Sequence, residues 1–233
     1  DDAGGLAVAY KLNSTINRSY ATIQNAQNAL SYLQVQDSAL ATTGKILDRM
    51  AELRTMAQDI TKNSGDIENY SKEFIELQSQ LRQIKEEKFN GISLFSVIGS
   101  AVTGSKAQLG RSDSGTYVDA NGNSITYQQY GRELVTHPSG NTGNGSISLN
   151  VVNLQFVLSL NGGANTNINL GGIGHSSGSV TGTQLGDDYF ITKIRDVSVS
   201  EFISAIEKLA DARAENGAEQ NRIMNSINLL QTN

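Results

Sequence analysis

The chain contains no cysteine, no tryptophan, one proline (Pro138) and two histidines. Without cysteine there are no disulfide staples, no thiolate metal sites and no thiol nucleophile. With proline so rare, very long uninterrupted helices are permitted. No run of Lys or Arg occurs, and 23 acidic residues outweigh 18 basic ones, for a net charge of -5. That balance argues against a general nucleic-acid binder, which needs basic surface to neutralise phosphates. No stretch approaches the ~20 apolar residues of a membrane-spanning helix. The opening Asp1-Asp2-Ala3-Gly4-Gly5 is not the basic-then-apolar start of a signal peptide. It begins without Met inside a helical pattern, as a fragment of a longer chain would.

Glycine divides the 233 residues into three segments. Seventeen of 23 glycines fall within 98–197, and the flanks 1–97 and 198–233 hold six. Glycine costs a helix interior about 1 kcal/mol, so the flanks read as helical and the middle does not. In the first flank an apolar stripe runs Ile16, Tyr20, Ile23, Leu30, Leu33, Leu40, Leu47, Met50, Leu53, Ala57, Ile60. Its spacing is near-heptad, with Gln27, Asp37 and Gly44 as interruptions. A helix over 4–61 would be roughly 85 Å long at ~1.5 Å per residue, too long for a compact domain of this size. The element must belong to a rod.

Lys62-Asn63-Ser64-Gly65-Asp66 is a break, with Gly65 as a left-handed residue and Asp66 as the next cap. A second helix follows through Ile67, Tyr70, Phe74, Leu77, Leu81 and Ile84, to end near Lys88. Asn90-Gly91 then signals a turn. The last flank opens on a capping box, Ser198 to Glu201, stapled by Val197 and Phe202. Its stripe is Phe202, Ile206, Leu209, Arg213, Asn216, Gln220, Ile223, Ile227, Leu230, polar at its centre, with Ala205 and Ala212 beside it as a thin close-packing face. No amphipathic helix buries its own stripe, and large seam residues contribute ~1.5–3 kcal/mol each on burial. The two ends of the chain must therefore meet.

The middle reads as six to eight strands. Asn121-Gly122 between Thr116-Tyr117-Val118 and Ile125-Thr126-Tyr127 signals a hairpin. Ile147 to Val151 alternates; Leu154 to Leu160 reads as a buried strand turned by Asn161-Gly162-Gly163. Asn167 to Leu170 and Tyr189 to Ile194 complete the set. The expected fold is α+β. An elongated antiparallel helical rod (1–97 plus 198–233, with a hairpin near 89–97) carries an inserted, mainly β, variable outer domain (98–197).

The flanks resemble bacterial flagellins. Residues 1–9, Asp1-Asp2-Ala3-Gly4-Gly5-Leu6-Ala7-Val8-Ala9, are similar to the family's "DDAAGLAIA", and Asn25 to Gln34 to "NAQDGISLLQ". Ile46 to Leu53 resembles "ILQRMRELA", Phe89-Asn90-Gly91 the "FNG" turn, and Ala212 to Arg222 "SQRAELGAIQNRL". Together these cover about 130 residues in the family's order. The middle hundred match nothing in it. The family's terminal helices, before and after this region, look absent, so the chain resembles a core fragment, expected to be monomeric. The resemblance implies a structural, secreted subunit of the extracellular flagellar filament, packing rod against rod with its variable domain outward. It implies other flagellin subunits as partners, with an export chaperone and a host Toll-like receptor as further ones. It implies no cofactor, no nucleic acid, no membrane insertion and no catalysis. Positions Arg49 and Leu53, with Glu73 less closely aligned, match family contacts to Toll-like receptor five; their other reading is contact between neighbouring subunits. The chain departs from the family's "RMRELAVQ" at Ala51, Arg54, Thr55 and Met56.

Other chemistry is sparse. His137 and His175 lack partners at ligand spacing, whereas a metal site needs three or four converging ligands. Asp119 to Asn123 opens like a calcium loop, but its twelfth position is Tyr130, not a bidentate Glu. Asp187-Asp188 reads as a solvated turn, and no nucleophile elbow, phosphate loop or metalloprotease motif occurs. Ser and Thr residues of the middle resemble the O-glycosylated surface of many flagellins. Two alternatives stand beside the filament subunit. One is an adhesin or carbohydrate receptor on the same scaffold, stacking sugars on Tyr117, Tyr127, Tyr130 and Tyr189; those tyrosines equally suit a sheet core. The other is a hook–filament junction protein.

Overall fold

The computed structural model describes residues 3–97, 111–119, 121–160, 165–174, 183–186 and 188–232. Helix α1 (Ala3–Met56) is one unbroken element of 54 residues, about 80 Å long at the usual rise. Helix α2 is Ser64–Lys85, α3 is a single turn at Leu154–Val157, and α4 is Val199–Thr232. Helix α4 runs antiparallel to α1: Arg213 Nε donates to Asp37 Oδ1 at 2.8 Å, while Arg54 Nε, near the far end, donates to Val197 O. The two chain ends thus form a rod, with α2 folded back beside it.

The buried face of α1 differs from the apolar stripe. Thr22, Ala26, Ala29, Leu33, Gln36, Leu40, Thr43, Leu47 and Met50 are buried, stepping by four and three in turn. This is a regular heptad seam whose small and polar members carry no hydrophobic signal. Gly44 sits beside it, where an added Cβ would meet Leu209 Cδ2 at 3.2 Å. The same substitution of small for large residues occurs on α4. Phe202, Ala205, Leu209, Ala212, Asn216, Glu219, Ile223 and Ile227 are buried there. Of the expected seam residues, Leu33, Leu47, Phe74, Leu77, Leu81, Phe202, Leu209, Ile223 and Ile227 lie in the core, with Ile23, Leu30 and Ile206 partly buried against it. Ile16 and Tyr20 are exposed, at 47% and 67%. The register set by Asp37 and Arg213 places Leu230 beside Tyr20 and Thr232 beside Arg18, so no described residue of α4 lies opposite Ile16.

Several boundaries also move. Helix α1 stops at Met56 and not at residue 61. The cap of α2 is Asn63 and not Asp66. Asn63 Oδ1 accepts from Asp66 N at 2.9 Å, and Asp66 Oδ2 accepts from Asn63 N at 3.2 Å, a reciprocal box. Gly65 lies inside the first helical turn, so no left-handed residue is needed there. For α4 the expected box forms, Ser198 N to Glu201 Oε2 at 2.9 Å and Glu201 N to Ser198 Oγ at 3.3 Å, over a fully buried Val197 and Phe202.

Eight strands are present among the described residues. β1 (Lys88–Phe89) and β2 (Ile92–Ser93) form a small hairpin, turned by Asn90 and Gly91 at φ 51° and 75°. β3 (Phe95–Ser96), β4 (Arg111–Val118), β5 (Ser124–Val135) and β6 (Ser146–Asn153) make one sheet in the order β3-β6-β5-β4. β3 lies parallel to β6, and the other pairs are antiparallel. Gly122, at φ 81°, turns the β4–β5 hairpin. β7 (Ser159–Leu160) and β8 (Asn165–Asn169) form a third pair. Leu154 to Leu160 is therefore not one strand: Asn153 Oδ1 caps Phe156 N at 3.1 Å and starts the turn α3. The Asn161-Gly162-Gly163 turn lies outside the described residues.

Tyr189 to Ile194 is not a strand either. Its backbone makes only an isolated antiparallel bridge, Ile191 to Leu185, with Thr192 N donating to Gln184 O, and its other edge finds a side chain. Gln78 of α2 is fully buried; its Oε1 accepts from Ile191 N and its Nε2 donates to Ile191 O, both at 2.9 Å. One amide thus does the work of a strand edge. Most buried apolar residues form one cluster, from Ala26 and Ile227 through Phe74 and Phe202 to Leu94, Ile147 and Leu170, while Tyr130 and Val151 make a small second one.

Candidate functional site

The long rod face of α1 and α2 holds the sequence-identified contacts. Arg49 of α1 bridges to α2, with Nε 2.7 Å from Glu73 Oε1 and Nη2 3.2 Å from Glu73 Oε2, a bidentate pair. Its Nη1 donates to Glu52 Oε2 at 3.0 Å. The bonds to Glu73 and then Glu52 push the guanidinium pKa further up, so it is charged at any working pH. Asp48, Arg49, Glu52, Thr55 and Met56 line a shallow open groove there. Leu53 does not belong to it. One turn beyond Arg49, it is fully buried in the rod core and has no surface to offer a receptor or a subunit.

A second surface is apolar. Leu6, Val8, Tyr10, Leu12, Ile16 and Tyr20 on the first turns of α1 are each at least 47% exposed. A single exposed apolar residue is ordinary, but a concentration of six along one helix marks an interaction surface.

A line of buried polar side chains ties the sheet to the rod. Asn216 Nδ2 donates to Leu33 O at 3.0 Å and Gln36 Oε1 at 2.9 Å. Gln36 Nε2 in turn donates to Leu94 O at 2.7 Å and Asn150 O at 3.0 Å. Lys208 of α4 is nearly fully buried and closes α3 and β7: Nζ donates to Phe156 O at 3.1 Å, Ser159 O at 2.8 Å and Ser159 Oγ at 2.9 Å. Burial lowers its pKa to about 8. Lys208→Met keeps the volume but strands two buried carbonyls. Relief of a desolvated charge offsets part of that loss. The expected net cost is about 1–2 kcal/mol, read from the urea midpoint at pH 7; a variant as stable as the parent would show that these bonds contribute nothing.

The remaining candidates resolve as ordinary structure. Asp119 accepts from Asn121 N and Asn123 N at 2.9 and 2.7 Å, and from Asn123 Nδ2 at 3.0 Å. Its carboxylate is occupied by its own turn, and the Asn123 side-chain bond, first among these, lowers its pKa. His137 is exposed, and its Nδ1 pairs with Ser139 Oγ at 2.8 Å. His175 and Asp187 lie outside the described residues; Asp188 is exposed beside Arg82. Among the described residues, no three His, Cys, Asp or Glu side chains converge as a metal cluster. No described helix is long and apolar enough to cross a membrane. The tyrosine surface for sugars does not form either. Tyr117 and Tyr130 are buried, and Tyr127 stacks on Phe156 at 4.0 Å and 5°. Gln36, Gln78, Lys208, Asn150 and Glu219 carry the tertiary joints, and no motif announced them. The one available signal was polar residues at heptad positions.

Comparison with known proteins agrees with this architecture. Residues 1–100 match the family model for the bacterial flagellin N-terminal helical region. Flagellin 1 of Proteus mirabilis is 29% identical over 117 residues, 50% of this chain and 31% of that protein. The flagellar filament 31.3 kDa core protein of Treponema maltophilum is 30% identical over 111 residues, 47% of this chain and 39% of that one. The matches span well under half the length of these curated relatives. The crystal structure of Bacillus cereus flagellin shares the fold, with a TM-score of 0.51 at 23% identity, over 88% of either chain. Residues 1–100 thus form a bacterial flagellin N-terminal helical region, set in a rod that shares the fold of a solved flagellin.

Proposed function

We propose that this chain is part of a structural subunit of the bacterial flagellar filament, extracellular and without catalytic activity, which assembles with further flagellin subunits through the outer faces of its rod. The observation that carries this reading is the long antiparallel rod of α1 and α4, in a chain whose first hundred residues match the bacterial flagellin N-terminal helical region. Residues 1–97 and 198–233 act as the rod and 98–197 as the variable insert. The insert's described strands are docked along the rod through Gln36 and Lys208. An export chaperone and a host receptor are finer expectations from the resemblance. For the receptor, Arg49 and Glu73 are available and buried Leu53 is not.

The test uses the longer protein, carrying the flanking segments that relatives possess. Seeded with its own filaments, it is expected to polymerise. Tyr10→Asp with Ile16→Asp should abolish growth. A melting temperature within about 2 °C of the parent's then separates lost assembly from lost folding. A parent that never polymerises defeats the filament reading. Normal growth of the double variant defeats the role of this face.

A further inference from the structure

Five Asn-Gly pairs occur in the chain: Asn90-Gly91, Asn121-Gly122, Asn144-Gly145, Asn161-Gly162 and Asn216-Gly217. An asparagine before glycine can cyclise, because the glycine nitrogen reaches the side-chain carbonyl with no Cβ in the way. That attack needs a free backbone N–H and an unheld side-chain amide. Asn161-Gly162 lies outside the described residues, and the fold gives the other four different surroundings. Asn216 is buried inside α4. Its Nδ2 donates to Leu33 O and Gln36 Oε1, its Oδ1 accepts from Gln220 Nε2 at 2.6 Å, and Gly217 sits within the helix. Asn144 Nδ2 donates to Ser139 Oγ at 2.9 Å, and Gly145 N to Thr142 O at 3.3 Å. Gly122 N donates to Asp119 O at 2.9 Å. Asn90-Gly91 differs. Both residues are exposed at the tip of the β1–β2 hairpin. Neither the Asn90 side chain nor the Gly91 N–H meets a hydrogen-bond partner among the described residues. A Cβ built on Gly91 would meet nothing within 4 Å, so solvent reaches the pair freely.

We propose that Asn90 is a self-modification site, at which the chain exchanges an amide for a carboxylate with water as co-reactant. Hydroxide removes the Gly91 N–H proton, and the nitrogen bonds to Asn90 Cγ. The Cγ–Nδ2 bond breaks, Nδ2 takes up a proton, and ammonia leaves a five-membered imide behind. Water then opens the imide at either carbonyl, giving aspartate or isoaspartate. One water enters and one ammonia departs, with no change of oxidation state. Isoaspartate adds a carbon to the backbone of a two-residue turn whose φ values, 51° and 75°, suit a tight hairpin. Tyr32 ties that hairpin to α1: its hydroxyl donates to Ser93 O at 2.9 Å, and its ring meets Phe89 edge-on at 6.2 Å. The modification therefore loosens the attachment of this hairpin to the rod.

The test ages the folded chain in mildly alkaline buffer and follows each pair by peptide mass spectrometry, with isoaspartate scored by fragmentation. Asn90 is expected to lose its amide about tenfold faster than Asn121 and Asn144, the factor that one broken backbone hydrogen bond is worth. Asn216 should be slowest, since α4 must open first. In urea at unfolding concentration the four rates should converge, because the fold no longer separates them. Asn90→Gln, whose longer side chain closes a ring poorly, should remove the fastest phase of ammonia release. The isoaspartate fraction, separated by ion exchange, should melt below the fresh chain. The proposal is overturned if Asn90 in the folded chain keeps its amide as long as Asn216, or if Asn121 or Asn144 reacts first. Equal melting of the fresh and isoaspartate forms overturns the loosening of the hairpin.

Discussion

Phe202→Ala is expected to lower the unfolding free energy by about 4 kcal/mol, from lost transfer energy plus the cavity left behind. The ring is fully buried where α1, α2 and the start of α4 meet. It packs edge-on against Phe74, with centroids 6.1 Å apart and planes at 83°, a pair worth about 1 kcal/mol beyond area. Its neighbours are held by bonds that prevent collapse into the void. Arg54 donates to Val197 O, and Arg195 donates to Ala57 O at 3.0 Å. A domain stable by ~5–15 kcal/mol loses a large share of that margin. The urea midpoint should fall with an unchanged slope. The Phe74→Ala cycle should show coupling of about 1 kcal/mol. A loss below about 1 kcal/mol at Phe202 would mean that this junction is loosely packed and not the keystone of the rod.

Glu219→Gln is expected to stabilise the protein at alkaline pH and leave it unchanged in acid. Burial, first, and then the nearby charge of Glu215 raise the Glu219 pKa from 4.5 to about 8, against smaller opposing effects of the Asn150 N–H and Arg222. Tyr32 of α1, itself beside Arg132 of β5, is the other titratable group facing it. Between pH ~4.5 and ~8 the folded chain keeps a proton that the unfolded chain has released, so stability falls as pH rises through this window. At about 1.4 kcal/mol per unit, the loss by pH 9 is roughly 5 kcal/mol. Glutamine carries no such proton and still accepts from Asn150 N. The difference between variant and parent should be near zero at pH 4 and grow to roughly 5 kcal/mol at pH 9. Lys208, which loses its proton near pH 8, cancels in that difference. A difference that does not change with pH would show that Glu219 is ionised throughout.

These joints explain where sequence reading stopped. Helix existence in both flanks, the β4–β5 hairpin and the α4 cap were all legible, because periodicity, Asn-Gly and Ser-x-x-Glu act within a few residues. The seam was only half legible. Hydrophobic periodicity weights Ile206 and Ile16, yet the helices approach on Ala205, Ala212, Ala26 and Ala29. Small residues win there because they let two backbones come close, a property of the pair and not of either helix. The strand expected at 189–194 shrinks to a single bridge for a related reason: the other edge of Ile191 bonds to Gln78, 113 residues away.

The candidate surfaces divide in the same way. Arg49 and Glu73 were named from their resemblance to family contacts, and they meet at 2.7 Å. Leu53, named with them, is buried: it follows half-buried Arg49 by one turn on nearly the same face, and only the packing of the rod decides that it is covered. Asn150, Glu215 and Glu219 carried no motif, because their contacts are 65 and 69 residues apart.

By itself the sequence determined that two glycine-poor ends are helical, that they must pair, and that a glycine-rich β segment lies between them. Those follow from local propensity and from apolar stripes that no single helix can bury. Only the tertiary structure decided which face of each helix is inside and which buried amides and charges bind the sheet to the rod. Such choices depend on distances between residues far apart in the chain, and no local pattern encodes them.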